Sequence, residues 1–249
     1  MAVALVAFAG FFGLGVFQVK RLAWKEALIA RVDRHVHATP VPAPTPGAWP
    51  SISKERDEYR RVVVKGTFAH TKETLVKAST VLGPGFWVMT PLRTTQGHWV
   101  MVNRGFVPTQ QREPTQRGLT APDGEQTVVA LLRLTEPEGT WLQSNDVGND
   151  RWYSRDVAAM AAARGLTDAP VAPYFLDVVA GEPTEPAAVA WPRPGLTVLH
   201  FNNNHLVYAL TWFTLAAMTA GALGYLLVDE RRLRRLAGDR RSHDTHARR

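Results

Sequence analysis

Two charge-free apolar runs, one at each end of the 249-residue chain, constrain this sequence more than anything else in it. The first, residues 2–19 (AVALVAFAGFFGLGVFQV), holds one strongly polar side chain, Gln18. The second covers residues 206–228 without a charge. A helix rises about 1.5 Å per residue, so about 20 residues cross a hydrocarbon core of about 30 Å. The second run is long enough to span with some tilt, and the first is near the lower limit. Buried helices of a soluble protein are the competing reading, which two such runs bracketing one polar body disfavour. A cleaved leader is also disfavoured. The first run has only the α-amino group as positive charge at its start and ends in FQVKRLAWK, without a small-x-small cleavage site. An uncleaved anchor is expected.

Flanking Lys and Arg set orientation. Residues 229–249 hold eight Arg and no Lys against four acids, which places the C-terminus in the cytoplasm. Two spans return the N-terminus to the same side and put the middle outside. Lys20, Arg21, Lys25, Arg31 and Arg34 follow the first run and oppose this assignment. The tail cluster is denser and its apolar run longer, so the tail prevails. The basic arm is then expected to rest on lipid headgroups, its stems snorkelling.

The net charge is +7, of which the tail carries +4. The basicity belongs to the tail and forms no basic stripe with interleaved aromatics, so no nucleic-acid partner is expected. Membrane lipid is the expected contact of the tail. Cysteine is absent. That excludes disulfides, thiolate metal sites, iron–sulfur clusters and C-x-x-C-H haem attachment. The exported body, of about 150 residues, must be held by its core.

Five segments result: a first transmembrane helix (1–19), a helical extension and Pro-rich linker (20–50), an extracytoplasmic body (51–198), a second transmembrane helix (199–228) and a basic cytoplasmic tail (229–249). KRLAWKEALIARVDRHVHA continues the first helix outward through Leu22, Ala23, Leu28, Ile29 and Val32. ATPVPAPTPGAWP, with five prolines from Pro40 to Pro50, reads as a semi-rigid spacer. Strands are expected at 59–68, at 85–108 as a pair about Thr95-Gln96-Gly97, at 126–134 and at 171–180. The 85–108 pair is apolar at nearly every position, so both its faces are expected to be covered. SRDVAAMAAARGL (154–166) reads as a helix capped by Ser154 or Asp156 and stopped by Gly165. Gly83-Pro84-Gly85 reads as a turn with no helix after it, so it is no phosphate cradle. The fold class is α+β: two transmembrane helices flanking a β-rich extracytoplasmic domain with one helix, its sheet mostly antiparallel and either open or rolled into a barrel.

Catalytic patterns are absent: there is no G-x-S-x-G, H-E-x-x-H, P-loop or G-x-G-x-x-G. His35, His37, His70, His98, His243 and His246 read as surface, edge or tail residues, with no third and fourth ligand converging on any of them. His205 differs. On a helix Phe201, His205, Tyr208, Ala209 and Trp212 share a face, which sets one imidazole among aromatics near the outer end of the second span. Imidazole binds iron and flat rings suit a macrocycle. Equally, interfaces enrich Trp and Tyr, and Asn202 to Asn204 can cap the first turn. Both readings stay open on these residues alone.

The pieces LGVFQVKRLAWK, YRRVVVKGTF, GFWVMTPL, VMVNRGFVP, RWYSRDVAAMAAARGL, PYFLD and NNNHLVYALTWFTLA occur in that order between about Leu14 and Leu215. This arrangement resembles the Surfeit-locus family of cytochrome c oxidase assembly factors, of the bacterial type. NRGFVP and NNHLVYALTWF are its most specific pieces. Phe17 and Phe106 stand where the family usually has Trp, and the 83–85 stretch is shorter than usual and lacks an Arg. Each aromatic change removes an indole N–H, which puts any ligand or partner contact through it in doubt. The resemblance implies an inner-membrane protein with its domain in the periplasm and both termini in the cytoplasm. It implies help in delivering haem a to the large oxidase subunit, near the haem a synthase. His205 is then the implied iron ligand, with Tyr208 and Trp212 against the macrocycle and Gln18 supporting from the first helix. Arg104 is a candidate for a haem propionate or a structural strand-end residue. A cofactor-free scaffold holding oxidase subunit and synthase together is the alternative.

Overall fold

Val62, Val64 and Gly66 alternate with outward residues along β2 (Arg61–Phe68), and this period of two sets the inside of a sheet. In the computed structural model, which describes residues 2–117, 123–137, 143–179, 191–196 and 203–246 (side chains to 232), seven strands form that sheet. Besides β2 they are β1 (Val41–Pro42), β3 (Thr74–Thr80), β4 (Gly83–Thr94), β5 (Trp99–Pro108), β6 (Glu125–Leu134) and β7 (Val171–Val178). Their order is β1-β2-β6-β7-β5-β4-β3, and β2 also pairs β4, which closes β2, β6, β7, β5 and β4 into a barrel. All barrel pairings are antiparallel except β5 with β7. Closure needs Gly66: a Cβ there would run into the Arg93 carbonyl of β4.

The register Val62↔Ala130, Leu132↔Leu176, Leu176↔Val102 and Leu92↔Val100 turns these side chains into one interior cluster with Tyr174. A second core lies on the outer face of β4, β5 and β7. There Met89, Met101 and Phe175 pack with Trp152 and with Val157, Met160 and Ala161 of α3 (Val157–Ala163). Two cores explain why the 85–108 pair is apolar on both faces. Asp156 is the α3 cap, its carboxylate accepting from Ala159 N, and Gly165 follows with φ +62.

Three expectations are corrected. β3 was not anticipated: TLVKAST has one clear inward pair, Thr74 and Val76, too short a pattern to separate from a loop. Gly83-Pro84-Gly85 is the start of β4, where Gly85 pairs with Ala78 and Pro108. The proline segment is packed rather than spanning free space. Pro42 pairs beside Val63, Ala43 N–H donates to Val63 O at 3.0 Å, and Trp49 lies against the barrel core. Pro44 O accepts from both Trp49 Nε1 (3.0 Å) and Tyr174 OH (2.7 Å). Proline's missing donors cost nothing where only carbonyls are used. The chain then turns through α2 (Lys54–Asp57) into β2.

Packing divides the chain into residues 31–199, which hold this barrel, and a second body of residues 1–30 and 200–249. The second body is a helix pair. Helix α1 (Ala2–His37) continues unbroken from the first apolar run into the basic arm, and α4 (His205–His246) contains the second run. Both are long and apolar enough to cross a membrane.

Candidate functional site

Ala4, Phe8, Phe11, Gly15, Gln18 and Leu22 of α1 are screened from solvent, as are His205, Ala209, Trp212, Ala216, Thr219 and Leu223 of α4. Both sets step by four and three residues in turn, the seven-residue period of coiled-coil seams. Small residues in the seam let the two backbones approach closely. At Gly15 an added Cβ would meet the Phe213 ring at 2.6 Å. Phe11 stacks on Trp212 with centroids 5.9 Å apart, and Phe12 meets Phe213 edge-on at 5.7 Å. Rising numbers on α1 meet falling numbers on α4, so the helices are antiparallel.

That register delivers Gln18 to His205. Nδ1 of the imidazole lies 2.8 Å from Gln18 Oε1. An amide oxygen only accepts, so Nδ1–H is the donor, and in the neutral ring the lone pair falls on Nε2. His205 is the first residue of α4, and Asn204 O accepts from Tyr208 N at 3.2 Å. The imidazole is half-buried and stands at the first turn of α4. Tyr208 is 54% exposed and points away from the seam, while Trp212 is engaged in the seam by Phe11. Phe201 and Asn202 lie outside the described residues. Among the described residues no group of three or more His, Asp or Glu could hold a metal ion.

Arg104 belongs to the barrel body. It donates to His70 Nδ1 at 3.2 Å and lies over the Phe68 ring. Neighbouring Asn103 and Gly105 show what the NRG motif builds. Asn103 Nδ2 donates to Asp177 Oδ1 at 2.8 Å, and its Oδ1 accepts from Gly105 N at 3.1 Å. Asp177 also takes Arg133 (3.2 Å) and Arg155 (3.5 Å). Gly105 has φ +130, and a Cβ there would strike the backbone of Arg193. Arg193 and Phe106 exchange both backbone hydrogen bonds, at 2.8 and 2.9 Å. The WPRPG stretch is thus bound to the barrel as a strap. Phe106 is wholly buried between Trp87 and Trp191, so its ring serves internal packing, whereas Phe17 is 59% exposed on α1. The sequence reading missed this ionic centre, because Asn103, Arg133, Arg155 and Asp177 are scattered along the chain. It also misread His98, which is buried rather than at an edge.

The SURF1 family profile matches residues 5–217, nearly the whole chain. This chain belongs to the SURF1 family. It is 35% identical over 226 residues to Surfeit locus protein 1 of Homo sapiens, covering 84% of this chain and 71% of that protein. The Takifugu rubripes protein of the same name is 33% identical, with 84% and 89% covered. A SURF1-like protein of Drosophila melanogaster is 33% identical, with 84% and 71% covered. The SURF1-family match begins inside α1 and ends inside α4, so it includes both Gln18 and His205 and leaves out the basic tail.

Proposed function

We propose that this SURF1-family chain is a membrane-anchored assembly factor for haem–copper cytochrome c oxidase, and that it assists delivery of haem a to the large oxidase subunit. The observation that carries this reading is the 2.8 Å contact between His205 Nδ1 and Gln18. A ligating histidine commonly has its other nitrogen fixed by a hydrogen bond, which sets tautomer and ring orientation. Here the fixing group comes from the opposite helix, and the free nitrogen is at the helix end. The residues fit a group held by one axial bond: His205 supplies Nε2, Gln18 holds the ring, and Tyr208 presents an exposed aromatic face one turn on. Trp212 supports the seam rather than offering a free face. Haem a would bring the iron and the apolar macrocycle that the oxidase requires. A single bond suits release better than a cage with two protein ligands.

In this reading both termini are cytoplasmic, the barrel lies in the periplasm, and the helices cross the inner membrane. The arginine-rich tail supports that orientation. The large oxidase subunit and the haem a synthase are the partners, with lipid around the helix pair. The test is the absorption spectrum of the protein purified from cells that make haem a. Wild type is expected to carry haem, and His205→Ala to lose it. A wild type without haem, or a variant with the same content, defeats the carrier reading.

The second reading, a cofactor-free scaffold for the same two partners, is favoured by the outward apolar faces of the helix pair, including Val207, Leu210 and Met218. It expects oxidase assembly to survive His205→Ala and co-purification to fail when those faces are changed.

A further inference from the structure

Val6, Gly10, Gly13, Phe17, Lys20 and Trp24 repeat the four-and-three step of the α1 seam, displaced from it by two residues. Two residues turn a helix by about 200°, so this row lies on the face of α1 turned away from α4. Every member is exposed, Val6 at 73%, Phe17 at 59% and Trp24 at 53%. The row changes character along its length. Up to Phe17 it is apolar. A Cβ at Gly10 or Gly13 would meet nothing within 4 Å, so bare backbone leaves a shallow groove between Val6 and Phe17. From Lys20 onward the row is cationic and aromatic.

Arg21 adjoins the row, its guanidinium 4.2 Å from the centroid of the Trp24 ring. A guanidinium held over a ring keeps its in-plane N–H fork for phosphate oxygens. Lys20 and Arg21 are exposed, and neither meets a carboxylate among the described residues. Glu26, the first acid in the chain, continues the seam series four residues after Leu22, so it lies on the other face. In the proposed orientation these cations stand outside, where Lys and Arg are sparse beside a span. Their charge is left to be met by an anion at the headgroup level.

We propose that this face of α1 binds one anionic glycerophospholipid, its phosphate held by Lys20 and Arg21, its headgroup beside Trp24 and an acyl chain lying along Gly13 and Gly10 below Phe17. The site rests on the proposed reading of α1 as a membrane-spanning helix. Gly10 and Lys20 are about 15 Å apart along the helix axis, half of a hydrocarbon core of about 30 Å, so one chain of one leaflet covers the groove. Tryptophan suits this level, where its ring is in apolar surroundings and its N–H is wet. A zwitterionic headgroup would bring its own ammonium beside Lys20 and Arg21. A free phosphate would leave the apolar groove uncovered.

The test adds phosphatidylglycerol or phosphatidylcholine to the full-length protein in neutral detergent and counts bound lipids by native mass spectrometry. One phosphatidylglycerol is expected to bind saturably, and phosphatidylcholine is not. Lys20→Gln/Arg21→Gln, a change of two exposed side chains, is expected to weaken the phosphatidylglycerol complex about 30-fold, the effect of two cation–headgroup contacts. Gly13→Leu, which fills the groove on the face away from the seam, is expected to weaken it severalfold. Arg231→Gln/Arg232→Gln, after the second apolar run, is expected to leave it unchanged. Equal binding of the two lipids, an unchanged complex in Lys20→Gln/Arg21→Gln or in Gly13→Leu, or loss of the complex in Arg231→Gln/Arg232→Gln would each overturn the site while leaving the spanning helix in place. Release of the protein from membranes by alkaline carbonate would instead defeat the reading of α1 as a span, and the site with it.

Discussion

A histidine ring has two nitrogens, and which one is free depends on what the other touches. For His205 that choice is made by Gln18, 187 residues away. Replacing Gln18 with Leu keeps the size and removes the acceptor. Under the proposed function, haem affinity is expected to fall about 10- to 100-fold, the usual effect of losing a ligand's outer hydrogen bond. Gln18→Glu, which keeps an acceptor, is expected to retain more. Haem-to-protein ratios from absorbance spectra decide it, and equal ratios in all three proteins would contradict the assigned role of Gln18. His205 was legible from its aromatic helix face and the family resemblance, and Gln18 through what that resemblance implies. Their contact was not, since nothing in either run states the register between them.

At the scale of elements, the helix pair and the strap each depend on one glycine. A Cβ built at Gly15 would lie 2.6 Å from the Phe213 ring. Gly15→Leu is expected to push α1 and α4 apart. The chain has no cysteine, so a Phe11→Cys/Trp212→Cys pair can be cross-linked cleanly with a short bis-maleimide. Efficient cross-linking is expected while Gly15 is kept and little once it is replaced by leucine; equal yields would show that the seam tolerates bulk. Gly105 combines φ +130 with the close backbone of Arg193. Gly105→Ala therefore meets backbone strain and a collision together, and is expected to destabilise the barrel by about 2–4 kcal/mol or to release the strap. Denaturant midpoints and protease cutting within residues 191–196 measure the two outcomes, and wild-type values for both would refute it. β3 shows why elements were only partly legible. Its outward face is mixed and its partner β4 is what makes it a strand.

On the scale of the whole molecule, the barrel body is expected to lose stability in acid. Burial alone would raise the Glu136 carboxyl. The hydrogen bonds and charge of Arg155, at 2.5 and 3.0 Å, outweigh it and hold it below its usual 4.5. Asp150 is likewise lowered, against its own desolvation, by Arg164 and Trp152. Depressed carboxyls stabilise the fold above their unfolded values, and that stability is lost as pH falls through the folded ones. His98 acts earlier. Burial, and then the charge of Arg93, hold its folded value below 6.5, so the unfolded chain takes up a proton that the fold refuses, and stability begins to fall as pH drops past 6.5. Denaturant midpoints followed by tryptophan fluorescence are expected to decline in two stages, below about 6.5 and again below about 4.5. His98→Gln is expected to abolish the first stage only. A single stage in wild type would show that His98 does not govern the upper limb.

Local chemistry settled what local chemistry can. Charge-free length marked two helices apolar enough to cross a membrane, β-branched and apolar runs broken by turn residues marked most strands, and Ser154 or Asp156 marked the start of α3. Ordered motifs marked the family, and with it His205 and Gln18 as candidates. Barrel closure, the ionic centre on Asp177, the burial of His98 and the Gln18–His205 contact were settled only in three dimensions. Each joins residues far apart in the chain, and their pairing depends on strand register, helix register and close backbone approach, which many different sequences satisfy.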